Sequence, residues 1–229
     1  AGHYLTAMSA MRTLLTGGNA FDAAVSAGFA AAVVEPTASY SLATEGSLMI
    51  YHSDTRRIRA LSGQGGAPRR ATIELFNRKG LSKIPTGVNA GLSFTVPGVV
   101  DAFITMLEEY GTMTLGEAIS PAIGYARNGF PMYEHMRRNL QSSQILEQFK
   151  RYPPGGMDVF YAGGEPLQIG QLLVQQALAA TMLKMVDAEG KSGGNREVGL
   201  QAAREMFYRG QIARDIVSCS ESVGGLLTI

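Results

Sequence analysis

From Ala20 to Val34 the chain reads AFDAAVSAGFAAAVV, with only Asp22 and Ser26 polar, and no other stretch constrains the fold so strongly. A helix that is apolar all round has to be enclosed on every side. The run is shorter than the roughly 20 apolar residues of a membrane span, so the enclosure must be protein. Its limits can be read directly. Gly17-Gly18 ends a preceding helix, Asn19 is an N-cap, Asp22 lies near the positive helix end, and Pro36 stops the run. Alanine and the single Gly28 keep the helix thin, which places it at the centre of a layered domain with close neighbours. On this reading the helix is almost wholly buried, and Ala24→Leu would overpack it at a cost of about 1–3 kcal/mol.

Beyond that helix, Ser47–His52 and Arg57–Leu61 are two short β runs joined by Ser53-Asp54-Thr55-Arg56, the pattern of a hairpin. They lead into Ser62-Gly63-Gln64-Gly65-Gly66-Ala67-Pro68, a loop with three glycines in four residues. Glycine is used where backbone must take positive φ or approach something closely, and loops just past a sheet end are where sites are built. By itself the loop also fits a plain turn that closes the hairpin.

Further along, Gly91-Leu92-Ser93-Phe94-Thr95-Val96 reads as a short β run meeting Pro97 at a helix start. Val99, Phe103, Met106 and Leu107 form the stripe of that helix, which ends near Tyr110-Gly111-Thr112. Thr114 and Glu117 make a capping box for the next helix, stopped by Gly129 and Pro131. The spacing then predicts a surface helix over Tyr133–Phe149, exposed turns at 150–156 and 160–166, and a helix over Leu172–Val186 with stripe residues Val174, Leu178, Met182 and Met185. Methionines at that spacing are core filler. Ala188–Asn195 reads as a flexible loop, followed by helices over Arg196–Tyr208 and Gln211–Cys219.

Composition narrows the functional classes. The 229 residues carry 20 Lys+Arg against 19 Asp+Glu, a net charge of +1 without a basic run, which argues against nucleic acid as a partner. The single Cys219 cannot form an internal disulfide, and with no histidine near it in sequence it makes a poor nucleophile. His3, His52 and His135 lack metal-ligand spacing, so neither a metal nor a cofactor is expected.

The order of motifs resembles the heavy subunit of the gamma-glutamyltranspeptidase family over essentially the whole chain. GGNAFDAAV comes first, on a helix ending VVEP; then the hairpin and the G-x-G-x-A-P loop; then GLSFTVPG, YGTMTLGEAISPAI and ARNGFP; and finally Gln175-Gln176-Ala177, Met206-Phe207-Tyr208-Arg209-Gly210 and Gly224-Gly225-Leu226-Leu227-Thr228. The resemblance implies an α+β fold: part of the αββα sandwich of an N-terminal-nucleophile hydrolase, this chain being mostly helical with a few strands. It implies a partner, a light subunit whose N-terminal Thr attacks an amide carbonyl with its own α-amine as base. The substrate would be a small-molecule amide, with water or a second amine resolving the acyl-enzyme.

No Thr-Thr-His segment occurs in these residues, so 1–229 is expected to be a single-domain portion of a heavy subunit, incomplete at both ends and without the catalytic nucleophile. The resemblance also makes Gly63, Gln64 and Gly65 the candidate substrate-binding residues. Glutamyl-specific members carry Arg-Glu-x-Ala-Pro, and alignment on Ala67-Pro68 sets Gln64 at the Arg and Gly65 at the Glu. Gln offers N–H donors but no charge, so the bidentate clamp on a substrate α-carboxylate is missing. Arg69 and Arg70, just beyond the proline, read as a solvated turn. Thr37–Gly46 replaces a glycine-dense stretch of the family and points to a different pocket. Two functions follow: an amidase or acyltransferase not strictly specific for gamma-glutamyl groups, including hydrolysis of a small non-glutamyl amide, or a non-catalytic relative acting as scaffold or binding protein.

Overall fold

A computed structural model describes residues 1–85, 87–151 and 155–229. In chain order the first elements are α1 (Tyr4–Leu15), α2 (Ala20–Val34), β1 (Ser47–His52), β2 (Arg57–Ser62), α3 (Ile73–Arg78), α4 (Val99–Tyr110) and α5 (Leu115–Asn128). Next come β3 (Phe130–Pro131), α6 (Glu134–Leu140), α7 (Ser143–Arg151), α8 (Gly156–Phe160), β4 (Tyr161–Ala162), β5 (Glu165–Pro166) and β6 (Leu172–Leu173). Three helices complete the chain: α9 (Gln176–Lys191), α10 (Arg196–Tyr208) and α11 (Gln211–Ser222). The fold is α+β and mainly helical, as expected. Among the described residues no helix is long and apolar enough to cross a membrane.

The apolar run forms α2 with the expected bounds, and Asn19 and Asp22 close a reciprocal capping box at its start. α1, α4 and α5 pack around it. Val25, Phe29, Val33 and Val34 meet Val100, Ile104, Leu107, Ile119 and Ala122 in one continuous core. A Cβ at Gly28 would stand 2.3 Å from the Phe103 ring, so a larger residue there would displace that ring. Enclosure is incomplete, however, because Ala20 and Ala24 are exposed. The overpacking expected at Ala24 is therefore corrected. In residues 1–229, Ala24→Leu should change stability by less than about 0.5 kcal/mol, as surface substitutions usually do. Urea denaturation checks this, and a loss above about 1 kcal/mol would show that the face is covered.

β1 and β2 pair antiparallel from Ser47↔Ser62 to His52↔Arg57. Leu48, Ile50 and Leu61 face inward, while Met49, Tyr51 and Ile58 stand on the outer face at 81%, 59% and 67% exposure. β4 and β5 form a minimal hairpin across Gly163 and Gly164, both at positive φ (61° and 86°), where glycine is needed.

Several expected elements differ, each for a physical reason. Tyr133–Phe149 divides into α6 and α7 because Ser142 accepts from Leu146 N–H and starts a second helix. Leu172–Leu173 is a strand paired with Phe130–Pro131, so α9 begins only at Gln176. α9 then runs past Val186 to Lys191, held by Glu189, whose carboxylate accepts from the N–H groups of Leu115 and Gly116 at the start of α5 (2.7 and 2.8 Å). The expected loop shrinks accordingly to its last few residues. Residues 91–96 make no β ladder, since a 3-10 helix occupies Gly87–Ser93. Lys150 and Arg151 belong to α7, and residues 152–154 of the expected turn lie outside the described residues. α3, capped by Thr72, is too short to show a period in sequence.

Candidate functional site

The hairpin does not end at Ser62. Gly63 N–H donates to Gly46 O (2.7 Å) and Gly46 N–H donates to Gly63 O (3.2 Å). On the other side of the loop, Val96 N–H donates to Gly66 O (3.0 Å). Three backbone segments therefore lie side by side, 44–46, 63–66 and 96–98, directly before α4. Thr44 O accepts from Gly98 and Val99 N–H, satisfying the start of α4 without a side-chain cap.

The glycines are explained by this crossing rather than by turn geometry. A Cβ on Gly65 would fall 1.5 Å from Val96 O, and one on Gly98 would fall 2.2 Å from Gly63 O. Gly63 is buried against Ala102, Gly65 is partly covered, and Gln64 is exposed. The three residues singled out from sequence thus lie together as one frame with one protruding side chain. Gln64 N–H makes a long bond to Ser62 Oγ (3.4 Å), and the structure gives its side-chain amide no partner among the described residues. Arg69 and Arg70 are exposed on a turn, with Arg70 near Glu221 (3.9 Å). Just past the loop, Ala67, Pro68, Phe76, Leu92 and Phe94 line a mainly apolar cavity of about 410 Å³. Sequence reasoning marked the glycines and the segments Thr37–Gly46 and GLSFTVPG separately, but missed that Gly46, Val96 and Gly98 are the direct counterparts of the loop.

α4 carries this frame and is clamped at both ends. At its C-terminal end, Asn19 Nδ2 donates to Tyr110 O (2.7 Å), and the fully buried Asp22 accepts from Asn19, Thr112 and Met113 N–H and from Thr112 Oγ1. Burial alone would raise the Asp22 carboxyl pKa, but these hydrogen bonds outweigh it and hold it below the usual carboxylate range. Arg196 donates to Leu107 O and Met113 O. Along the α10 side, Arg204 binds Glu108 and Asp101 (both 2.6 Å). The Tyr208 hydroxyl, pushed up to about 12 by burial, stays neutral and accepts from Asp101 N–H (3.0 Å).

Other chemically suggestive residues do not assemble a reaction centre. Cys219 is exposed between two apolar cavities of about 480 and 420 Å³, neither of which is lined by a histidine. His3 packs on Tyr133 and His52 near Phe21 and Tyr110, while His135 contacts Arg138 and Asn139. Among the described residues no three His, Cys, Asp or Glu side chains gather as a metal site.

Comparison with known proteins gives this arrangement of helices around α2, with a glycine frame joining hairpin and α4, its class: the heavy-subunit portion of N-terminal-nucleophile hydrolases. Residues 6–229 match the family model described as Gamma-glutamyltranspeptidase. The chain belongs to the gamma-glutamyltranspeptidase family. It is 32% identical over 228 residues to the glutathione hydrolase-like YwrD proenzyme of Bacillus subtilis (strain 168), covering 99% of this chain and 39% of that relative. The Helicobacter pylori gamma-glutamyltranspeptidase structure superposes with a TM-score of 0.83 at 31% identity, covering 100% of this chain and 60% of that one. The cephalosporin acylase of Bacillus halodurans gives a TM-score of 0.81 at 27% identity, covering 98% and 39%. The chain thus spans well under half the length of the curated relative it matches.

Proposed function

We propose that residues 1–229 are the heavy-subunit portion of an N-terminal-nucleophile amide hydrolase or acyltransferase that is not strictly gamma-glutamyl-specific. The observation that carries this reading is the loop itself: a backbone frame built by Gly63, Gly65 and Gly98, presenting an uncharged Gln64 at the position that the motif gives to a carboxylate-binding Arg. Kinship with a cephalosporin acylase supports an acyl group other than gamma-glutamyl.

A light subunit supplies the Thr nucleophile. Its hydroxyl oxygen bonds to the amide carbon, the C–N bond breaks, and the hydroxyl proton leaves through the Thr α-amine with the departing amine. Water or a second amine then cleaves the resulting ester. The outer face of the β1–β2 hairpin, with Met49, Tyr51 and Ile58 exposed, suits a surface that the light subunit covers. The exposure of Gln64 at one end of that face supports a position beside the junction with the nucleophile-bearing chain.

On this reading, purified residues 1–229 alone hydrolyse no amide, because among the described residues no plausible nucleophile and base are brought together. Measurable turnover by that piece would overturn the assignment. The complete processed protein, assayed on gamma-glutamyl and simple acyl 4-nitroanilides, should favour the simple acyl amides. Strong gamma-glutamyl preference would place the carboxylate clamp elsewhere, and inactivity on every amide would favour the non-catalytic alternative.

A further inference from the structure

Gln64 has a neighbour that the strand limits conceal. The two reciprocal bonds between Gly46 and Gly63 make them directly opposed residues and carry the register of Ser47↔Ser62 one step past β1 and β2. Glu45 and Gln64 are the next residues outward from this pair, where the two chains begin to part and Thr44 O and Gly66 O turn to segment 96–98. Side chains alternate between the faces of a ladder. Gly46 and Gly63 turn toward α4, where added Cβ atoms would meet Val99 and Ala102. Glu45 and Gln64 therefore share the opposite, outward face with Ser47 and Ser62, and both are exposed. Each is one residue from the directly opposed Gly46 and Gly63, and both side chains are long enough for a carboxylate and an amide to approach one ligand group from two sides. Among the described residues no ion pair engages Glu45.

Where the family resemblance calls for a guanidinium, this chain thus presents a neutral amide and an unneutralised carboxylate. At this pair the charge is negative where the motif's Arg would be positive. A substrate carboxylate is repelled there, and an ammonium group is attracted, more strongly once a partner chain excludes water from the outer hairpin face.

We propose that Glu45 and Gln64 form a cation-preferring acyl subsite and that the amides turned over carry an ω-aminoacyl group, with an ammonium but no α-carboxylate. This rests on the reading that the 63–66 loop faces the acyl group. The chemistry is the same acyl transfer: the Thr oxygen–acyl bond replaces the amide C–N bond, the amine leaves with the hydroxyl proton, and water releases the ω-amino acid.

The test uses the complete processed protein and three 4-nitroanilides, of 4-aminobutanoic acid, of butanoic acid and of glutamic acid through its γ-carboxyl. The first is the third without its α-carboxylate, and the second lacks both charged groups. The expected kcat/KM for the aminobutanoyl compound exceeds that for the other two by about tenfold or more. Glu45→Gln should collapse the aminobutanoyl-to-butanoyl ratio toward one and raise the glutamyl-to-butanoyl ratio. If Glu45→Gln leaves both ratios unchanged while Gln64→Arg shifts the glutamyl ratio, the loop reading stands and the role of Glu45 is overturned. If neither substitution moves any ratio, or no anilide is hydrolysed, both are overturned.

Discussion

Asp22→Asn is expected to cost about 1–3 kcal/mol of stability at neutral pH, the usual cost of leaving a buried donor without its acceptor. Asp22 is fully buried, and its two oxygens receive three backbone N–H groups and one hydroxyl, so it needs acceptors only. Asparagine keeps the shape but replaces one oxygen by an NH2 group that faces other donors. At least one buried N–H then loses its partner. Acid should erase the difference. The folded-state carboxyl is held below its ordinary value, so its contribution is complete above the unfolded value of about 3.9 and is lost as pH falls through the folded-state value. Urea titrations of the parent and variant at pH 7 and in acid would check both statements. A loss under about 1 kcal/mol at pH 7 would mean that the junction between α4 and α5 does not depend on this carboxylate.

Gln64→Arg in the complete processed protein should raise kcat/KM on a gamma-glutamyl anilide by tens-fold to a thousandfold. A substrate carboxylate left without its charged partner costs about 2–5 kcal/mol, and each 1.4 kcal/mol is about tenfold. The lower end of the range is expected for the single change, because an arginine at position 64 can instead pair with Glu45. Adding Glu45→Gln should release it and bring a further increase. Steady-state kinetics of the two single variants and the double variant measure the coupling directly. An unchanged gamma-glutamyl rate in all three would remove the loop from the substrate site.

The elements legible in the sequence are those specified by residues close together in it. Asn19 with Asp22 and Thr114 with Glu117 announce their helices because each capping box lies within four residues, and the hairpin is visible through alternation alone. What escaped was set by partners far along the chain. Leu172 and Leu173 fall inside the expected helix until Phe130 and Pro131 claim them for a strand. Glu189 extends α9 because its partners are the bare N–H groups of α5, which no local pattern reveals. Ala24 fits a buried pattern, yet the neighbours of α2 leave its face open. At the candidate site the glycines were visible as glycines, but their cause, the carbonyls of Val96 and Gly63, lies on other segments. Gln64 was found by likeness to a motif, whereas the position of Glu45 follows only from a register that runs past the formal ends of the strands.

The three-segment crossing before α4 also limits how this chain can be re-engineered. Its inner positions admit no side chain, since a methyl group at 65 or 98 would collide with main-chain oxygen rather than with something that can rotate away. Any library that randomises the whole loop would therefore consist mostly of damaged scaffolds, whatever chemistry its members carried. Positions 45 and 64 are different, because their side chains project from the frame and bear none of its hydrogen bonds. On the proposed reading of the loop, changing the accepted acyl group is thereby reduced to a two-site search of a few hundred variants, on a backbone that stays where it is.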